Sequence, residues 1–404
     1  MTAMLMTRPS PVSRPSPFLV AVLALLTCVL AACTGVEPTP GSTTPATSTS
    51  TSRSPFEPTT TNAAPDTSIP LLAYRAADEI GIVEGTTVVA TAEGAFSPSN
   101  DLITTEDGKF VFARTVDGQL AALEVATGEG GTRDFPVGPS LGTAGGSTVV
   151  WWEQPNRLMR VDLADPQAQP ELHQIVALPP VPGIRPGEPR LVVARGGTTV
   201  LARVEAPPSP FGGPDTLYAI RGPGPPTPLG QVDANSPVTV ARLSPDGATL
   251  SYALYRATDS ACGTAAVVTS DADGAQQTFD VAGPDADAGS RVTKLWWPST
   301  GPPKLSLTTW TCGQPQTYPP LVWQVSGEHI AQSDPPTSAL QTAEVAPGQR
   351  ALVLPSTASP ADPAGTLVFE ESSRRIPVKG LEKGSESGTA MGPVDAIAVI
   401  PPSP

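Results

Sequence analysis

Residues 243–254 read LSPDGATLSYAL, a tight turn that leads into a short, largely apolar strand. In such a turn Pro fixes φ and Gly adopts a positive φ, so the chain reverses between two strands. The same unit, a Gly turn and then a strand, recurs as DG-KFVFAR, GG-STVVWW, GG-TTVLARV, GPP-KLSLTTW and PG-QRALVLP. These turns lie at 107–108, 145–146, 196–197, 301–303 and 347–348. Recurrence at a similar interval indicates internal repeats.

A second unit, a strand–turn–strand pair, follows each of these turns. It occupies residues 119–135, 157–175, 216–232, 265–281, 321–333 and 366–378, and a seventh copy covers 79–91. The two units together give about 48 residues and four strands per repeat, which is typical of β-propeller blades. We therefore predict an all-β fold, a single seven-bladed β-propeller over residues 69–404; six and eight blades are the alternative counts.

The first repeat is incomplete at its N-terminal side. The strand–turn–strand copy at 79–91 is not preceded by a complete set of inner strands. An unassigned apolar strand, Val394–Ile400, lies near the C-terminal end of the sequence. Pairing Val394–Ile400 with the strand at Leu71–Arg75 would complete that blade with strands from both termini. We predict this split-blade closure.

The SPDG turn at residues 244–247 resembles the corresponding turn of TolB-type and WD40-like propellers. Phe96-Ser97-Pro98-Ser99 and Ala346-Pro347-Gly348 are weaker matches, and the Gly-His and Trp-Asp pairs of true WD40 repeats are absent from the sequence. The resemblance implies the repeat architecture over about 330 residues. It implies no activity, because one fold can carry many functions.

Residues 1–32 are predicted to be a signal peptide. Two Arg precede a 13-residue apolar run, Phe18–Leu30, that is too short for a membrane-spanning helix in the mature protein. The run ends in Leu30-Ala31-Ala32-Cys33, which resembles a bacterial lipobox. The resemblance implies lipidation of Cys33 with a diacylglyceryl group, palmitate being an expected acyl chain, and a cell-membrane location facing the extracytoplasmic space. An ordinary secretory cleavage after Ala32 is the alternative.

Residues 33–68 are predicted to be a disordered tether. Thr, Ser and Pro fill most of these positions, and Phe56 is the one large apolar side chain after Val36. Such a segment cannot bury enough surface to offset its ordering entropy. It would separate the lipid from the folded body, either unmodified or O-glycosylated. The excess of Arg over Lys and the wealth of Ala, Gly and Pro resemble an actinobacterial proteome.

Cys262 and Cys312 each follow the second strand of their repeat, in consecutive repeats. In an oxidising exterior two such Cys are more often paired than free. We predict one structural disulfide between neighbouring blades. Metal binding is the alternative, but neither Cys has a His nearby in the sequence.

The other candidate sites are weak. His173 and His329 each stand alone in an outermost hairpin, where a solvent-facing position is expected. The segment 271–274 (DADG) resembles a Ca²⁺ loop but lacks the Glu at its twelfth position, so we predict a β-turn. Asp285 and Asp287 are a marginal cation candidate. No catalytic residue, cofactor or metal site is predicted.

Two tryptophan pairs, 151–152 and 296–297, are the most prominent aromatic features. Adjacent strand residues point to opposite faces, so each pair can fill the interfaces on both sides of its blade. The alternative is a stacking site for a partner or a sugar. The Pro-rich loops 179–189 and 207–214 could add a rigid recognition surface on one rim.

The formal net charge of −14 and the absence of a Lys/Arg cluster argue against nucleic acid or anionic headgroups as partners. We expect a monomeric, non-enzymatic, lipid-anchored module that binds or scaffolds a protein or a cell-wall glycan. The alternative is a hydrolase or lyase acting on an envelope glycan through channel carboxylates, with Glu106, Glu344 and Asp395 as the inward acids. A purely structural envelope role is the third hypothesis.

Overall fold

The computed structural model describes residues 64–402, except 184, 206–214, 232–235, 257–261, 282–287, 315–316, 358 and 382–392. The described residues form strands and turns, with no helix among them. Cys33, the signal segment and most of the predicted tether lie outside these residues. The last part of that tether lies within them, and there the backbone N–H of Asp66 donates to the Glu84 carboxylate.

The strands of the described residues follow one another in antiparallel sets of four. The first three strands are β1 (Leu71–Ala76), β2 (Glu79–Glu84) and β3 (Thr87–Glu93). Two four-stranded sheets follow, with strands β4 (Leu102–Thr104), β5 (Phe110–Arg114), β6 (Gln119–Glu124) and β7 (Gly130–Pro136), then β8 (Leu141–Thr143), β9 (Thr148–Glu153), β10 (Arg157–Asp162) and β11 (Glu171–Ile175).

Three further four-stranded sheets continue the series. Their strands are β12 (Arg190–Arg195), β13 (Thr198–Val204), β14 (Asp215–Arg221), β15 (Thr227–Gln231), β16 (Val238–Leu243), β17 (Leu250–Arg256), β18 (Thr264–Ser270), β19 (Gln276–Val281), β20 (Ala288–Trp296), β21 (Lys304–Thr311), β22 (Leu321–Ser326) and β23 (His329–Gln332). The last strands are β24 (Gln341–Ala346), β25 (Gln349–Pro355), β26 (Gly365–Glu371), β27 (Arg374–Pro377) and β28 (Val394–Ile400).

The turn-and-strand units of the sequence become the second strands of their sheets. In the best-defined unit, Gly247 has a φ of 71° and its N–H donates to Ser244 O at 2.8 Å, which closes the turn between β16 and β17. The Asp246 carboxylate accepts from Ser244 Oγ and from the Ala248 N–H, so the turn is fixed by its own side chains. These hydrogen bonds confirm the turn that residues 243–254 predict.

The two ends of the propeller chain meet in one sheet. β28 pairs antiparallel with β1 from Leu71–Ile400 to Ala76–Val394, which is the pairing proposed for the split blade. The resulting eight-stranded sheet contains β24–β27 and β28 with β1–β3, and these two sets are joined by the single pair Gly365–Val394. Divided there, the sheet gives two sets of four strands, and the count of seven blades stays a prediction.

Buried apolar side chains lie in clusters between consecutive sets of strands. Trp151 packs against Phe110 and Phe112 of the preceding sheet, whereas Trp152, the next residue, packs in a separate cluster with Leu191 of the following sheet. This is the period-2 alternation of a strand buried on both faces. Equivalent clusters join each set of strands to the next, including the first set to those on either side of it.

The first strands of neighbouring sheets lie close together. A Cβ on Gly142 of β8 would lie 2.6 Å from the Ala194 Cβ of β12, so a residue without a side chain is required there. The all-β propeller prediction is confirmed, and its first strands surround the candidate site described below.

Candidate functional site

The first strands of the sheets enclose a cavity of about 390 Å³. Every set of four strands contributes to its wall, through β4, β8, β12, β16, β20, β24 and β28. A volume of this size falls within the range of small-molecule sites in proteins. The cavity is therefore the candidate functional site of the described residues.

The charged side chains of the cavity wall have a positive balance, although the whole chain is acidic. Four lining residues are basic and three are acidic, although the chain carries a formal net charge of −14. The basic residues are Arg195, Arg242, Lys294 and Lys304, and the acidic ones are Asp101, Glu106 and Glu344. The cavity is thus a locally cationic site within an acidic protein.

Arg242 is held in place by neighbours from three sheets. Its guanidinium forms an ion pair with Asp101, which lies 141 residues earlier in the chain, and donates to Ala241 O at 2.7 Å. The Trp297 indole N–H donates to the backbone carbonyl of Arg242 at 3.3 Å. These contacts hold the Arg242 side chain in the cavity wall, and the Asp101 carboxylate balances its charge.

Lys294 is different, because its ammonium has no hydrogen bond or ion pair with any other described residue. The side chain is half-buried on β20. Burial lowers the pKa of Lys294 to about 8, against the opposing effect of the Asp395 and Asp101 carboxylates. The guanidinium groups of Arg75 and Arg242 lower that pKa further. Lys294 thus presents an ammonium whose charge is only partly balanced.

Arg195, at the end of β12, is the second such cation. Its Nε is buried and finds no hydrogen-bond partner among the described residues. Burial lowers the pKa of Arg195, and the Glu106 carboxylate opposes that shift. A guanidinium remains charged at physiological pH, so Arg195 adds a fixed positive charge to the wall.

The three acids predicted to face the channel have different environments. Glu106 and Glu344 do line the cavity. The Glu106 carboxylate accepts hydrogen bonds from Thr143 Oγ1 at 2.7 Å and from the Gly196 N–H at 2.9 Å, so it ties three sheets together. Glu344 is exposed and has no hydrogen bond or ion pair among the described residues.

The assignment of Asp395 as an inward acid is wrong. Asp395 is 2% exposed, does not line the cavity, and accepts from Arg75 Nε at 2.8 Å. Arg75 Nη2 lies 2.7 Å from the same oxygen, an ion-pair contact that is not aligned as a hydrogen bond. The register between β1 and β28 shifts beside Asp395, which follows the Ala76–Val394 pair and precedes the Arg75–Ala396 pair, and the Arg75 guanidinium holds its carboxylate there.

The tryptophan pairs have two different roles. Trp151 and Trp152 are both buried in the interfaces between sheets, as core packing requires. Trp296 is 8% exposed and packs against Val322, yet it also borders the cavity, and the half-buried Trp297 follows it in the wall. The second pair therefore combines core packing with an aromatic cavity wall.

The remaining sequence candidates add no further site within the described residues. His173 and His329 lie exposed on the outer strands β11 and β23, as expected. Residues 271–274 form the turn between β18 and β19, closed by a hydrogen bond from the Gly274 N–H to Asp271 O at 3.2 Å. Asp285, Asp287 and the loop 207–214 lie outside the described residues. Within the described residues no group of three or more potential ligands could hold a metal ion.

Cys262 and Cys312 form the predicted disulfide, with a Cα–Cα distance of 5.3 Å. Cys262 lies between β17 and β18, and Cys312 directly follows β21. The bond thus links equivalent connections of two neighbouring sheets. It lies away from the cavity wall, which is consistent with a structural role.

Sequence reasoning missed four charged residues of the wall, Asp101, Arg195, Arg242 and Lys294, of which the last three lie on the first strands β12, β16 and β20. The available signal was a basic residue near the end of three consecutive first strands. It was missed because only carboxylates were considered as channel groups.

Comparison with solved structures finds chains that are similar to most of this chain. Similar chains include an oligogalacturonate lyase from Vibrio parahaemolyticus, with 11% identity, a TM-score of 0.45, and coverage of 79% of this chain and 82% of that chain. The β-propeller domain of Cps50 (Swd1) from Myceliophteria thermophila has 12% identity, a TM-score of 0.45, and coverage of 74% and 96%. AztD from Citrobacter koseri has 9% identity, a TM-score of 0.44, and coverage of 82% and 97%.

At identities of 9–12% and TM-scores of 0.44–0.45, these likenesses carry no conclusion about this chain. No family model and no curated protein matches the sequence. Among the described residues, no helix is long and apolar enough to span a bilayer.

Proposed function

We propose that this protein is a lipid-anchored, extracytoplasmic β-propeller that acts as a binding or scaffolding module, with the central cavity as its ligand site. The lipobox-like sequence ending in Cys33 and the Thr/Ser/Pro-rich segment after it support the anchor and the spacer. The partner we favour is a protein or cell-envelope component that presents a small group to the cavity.

The binding role is supported by the hydrogen bonds and ion pairs that already occupy most of the candidate acids of the cavity. The carboxylate of Glu106 is fixed by hydrogen bonds from two other sheets, and that of Asp395 is paired with Arg75 behind the wall. Only Glu344 of the three candidate acids is left without such a role. Hydrolysis of a glycosidic bond by carboxyl groups usually needs two acids that flank the bond. The arrangement of acids in this cavity therefore favours ligand binding over the glycan hydrolase.

A variant that narrows the cavity opening tests the proposal. Ser299 lines the cavity and is exposed, so Ser299→Trp places a large side chain at the opening without disturbing a buried contact. Ala126→Trp adds the same side chain at an exposed turn on the outer side of β6 and serves as the control.

Small anionic, neutral and cationic compounds are screened by the shift they cause in the melting temperature, because a ligand that binds the native state stabilises it. We expect at least one class to stabilise the parent protein and the Ala126→Trp variant but not the Ser299→Trp variant. Equal shifts in both variants, or no stabilising compound in any class, would contradict the cavity as the ligand site. Turnover of a bound compound would instead support the enzymatic alternative.

A further inference from the structure

We propose that the ligand of the central cavity carries a small organic oxyanion, a carboxylate or a phosphate, and that the Lys294 ammonium is its main charge contact. This inference rests on the proposed cavity site and adds the chemical class of the ligand. It concerns a group that the sequence analysis did not assign.

The cations of the wall differ in whether they have an ion-pair or hydrogen-bond partner. Arg242 already has Asp101 as an ion-pair partner, whereas Lys294 has no hydrogen bond or ion pair with another described residue. The Arg195 guanidinium has a buried Nε that lacks a hydrogen-bond partner in the same part of the chain. A half-buried polar group without a partner carries a desolvation cost that an incoming anion would offset.

The charged groups around Lys294 nearly cancel one another. Four charged groups from neighbouring strands act on it, two carboxylates (Asp101 and Asp395) and two guanidinium groups (Arg75 and Arg242). Each carboxylate is in an ion pair with one of these guanidinium groups, so the set is close to neutral without Lys294. The Lys294 charge is therefore the net charge of this cluster, and an anion would neutralise it.

The rest of the cavity wall is largely aromatic and apolar. Trp296 and Trp297 border the cavity together with apolar side chains that include Leu102, Leu243 and Val399. Polar groups that fix orientation within an otherwise apolar, aromatic wall are typical of sites for small organic molecules. An inorganic anion would use the charge but leave the aromatic wall without a contact. This favours an oxyanion attached to a planar or ring-shaped body.

The experiment measures binding of matched probes to the full chain by calorimetry. Benzoate and phenyl phosphate carry the two oxyanions on the same ring, benzamide is a neutral analogue of benzoate, and inorganic phosphate lacks the ring. We expect benzoate or phenyl phosphate to bind at least tenfold more tightly than benzamide and inorganic phosphate. The stronger of the two aromatic anions identifies which oxyanion the cavity prefers.

The variant Lys294→Met removes the charge and keeps most of the side-chain volume. We expect it to weaken binding of the preferred anion at least tenfold. Lys379→Met removes one positive charge at an exposed position outside the cavity wall, so it is the matched control and should bind like the parent. Melting temperatures of both variants show whether each remains folded.

A pH series on the unmodified protein gives a test that needs no variant. Anion binding favours the protonated ammonium, so the affinity for benzoate, which stays ionised throughout, should be constant between pH 6 and pH 7 and fall as the pH rises through the pKa of about 8 of Lys294. In Lys294→Met this decline should disappear. Guanidinium groups in general stay protonated across this range.

The outcomes separate this inference from the proposed function. Equal affinity for benzoate and benzamide, or unchanged anion affinity in Lys294→Met, would overturn the inference. If only neutral or cationic compounds bind and Ser299→Trp blocks them, the proposed function stands and the inference fails. If no compound of any class binds, both fail.

Discussion

The buried ion pair between Arg75 and Asp395 offers the sharpest test of how the two ends of the propeller chain are joined. The two residues are 320 positions apart, on the adjacent strands β1 and β28, and their side chains are 0% and 2% exposed. Arg75 also donates through Nη1 to Asn100 O at 2.5 Å, which reaches the segment before β4. Asp395→Ala would leave the guanidinium buried with the carbonyl of Asn100 as its remaining partner.

The expected cost follows from this burial. Removing one partner of a buried ion pair typically destabilises a protein by about 3–5 kcal/mol, because the other charge is left uncompensated. Domain stabilities are about 5–15 kcal/mol, so this variant should lose a large part of the total. Adding Arg75→Met to Asp395→Ala removes the unpaired charge, and we expect the double variant to regain about 2 kcal/mol or more relative to Asp395→Ala.

The assay is equilibrium unfolding in urea, followed by tryptophan fluorescence. The control is Glu171→Ala, which breaks the Arg160–Glu171 pair, where the N–O distance is 2.7 Å and the side chains are 43% and 62% exposed. Exposed pairs contribute about 0–1 kcal/mol, so this variant should be close to the parent protein. The reasoning is refuted if Asp395→Ala costs no more than Glu171→Ala, or if the double variant is less stable than Asp395→Ala.

Two further predictions concern the cysteines. Cys33→Ala should release the protein from the membrane fraction or leave its signal uncleaved, and unchanged fractionation with continued lipid labelling would contradict the anchor. The native protein should titrate with no free thiol before reduction, because Cys262 and Cys312 are joined. Replacing both with Ser should lower the free energy of unfolding by up to about 4 kcal/mol, the loop-entropy value for a separation of 50 residues. Two reactive thiols in freshly purified protein, or unchanged stability of the double variant, would refute this.

Much of the fold could be predicted from the sequence because its signals are local. A turn such as Pro245-Asp246-Gly247 needs its own residues and few others, since Ser244 and Asp246 supply its side-chain hydrogen bonds. Alternation along a strand likewise assigns Trp151 and Trp152 to opposite faces without knowledge of the neighbouring sheets. The repeat interval then orders the strands, so the pairing of β28 with β1 could be inferred from the one strand that was missing.

The same alternation could not determine the cavity. The partner of each charged residue depends on the register between strands and on which sheets meet at the cavity. Asp395 is paired because β1 places Arg75 beside it, 320 residues away in sequence. Arg242 is paired because the ring places Asp101 within reach, 141 residues away. The sequence by itself determined the strands, the turns and the cysteine pair, which depend on local chemistry and repeat spacing. Only the tertiary structure decided which charges are neutralised and which, like Lys294, remain without a partner, because electrostatic balance depends on distances between residues far apart in the chain.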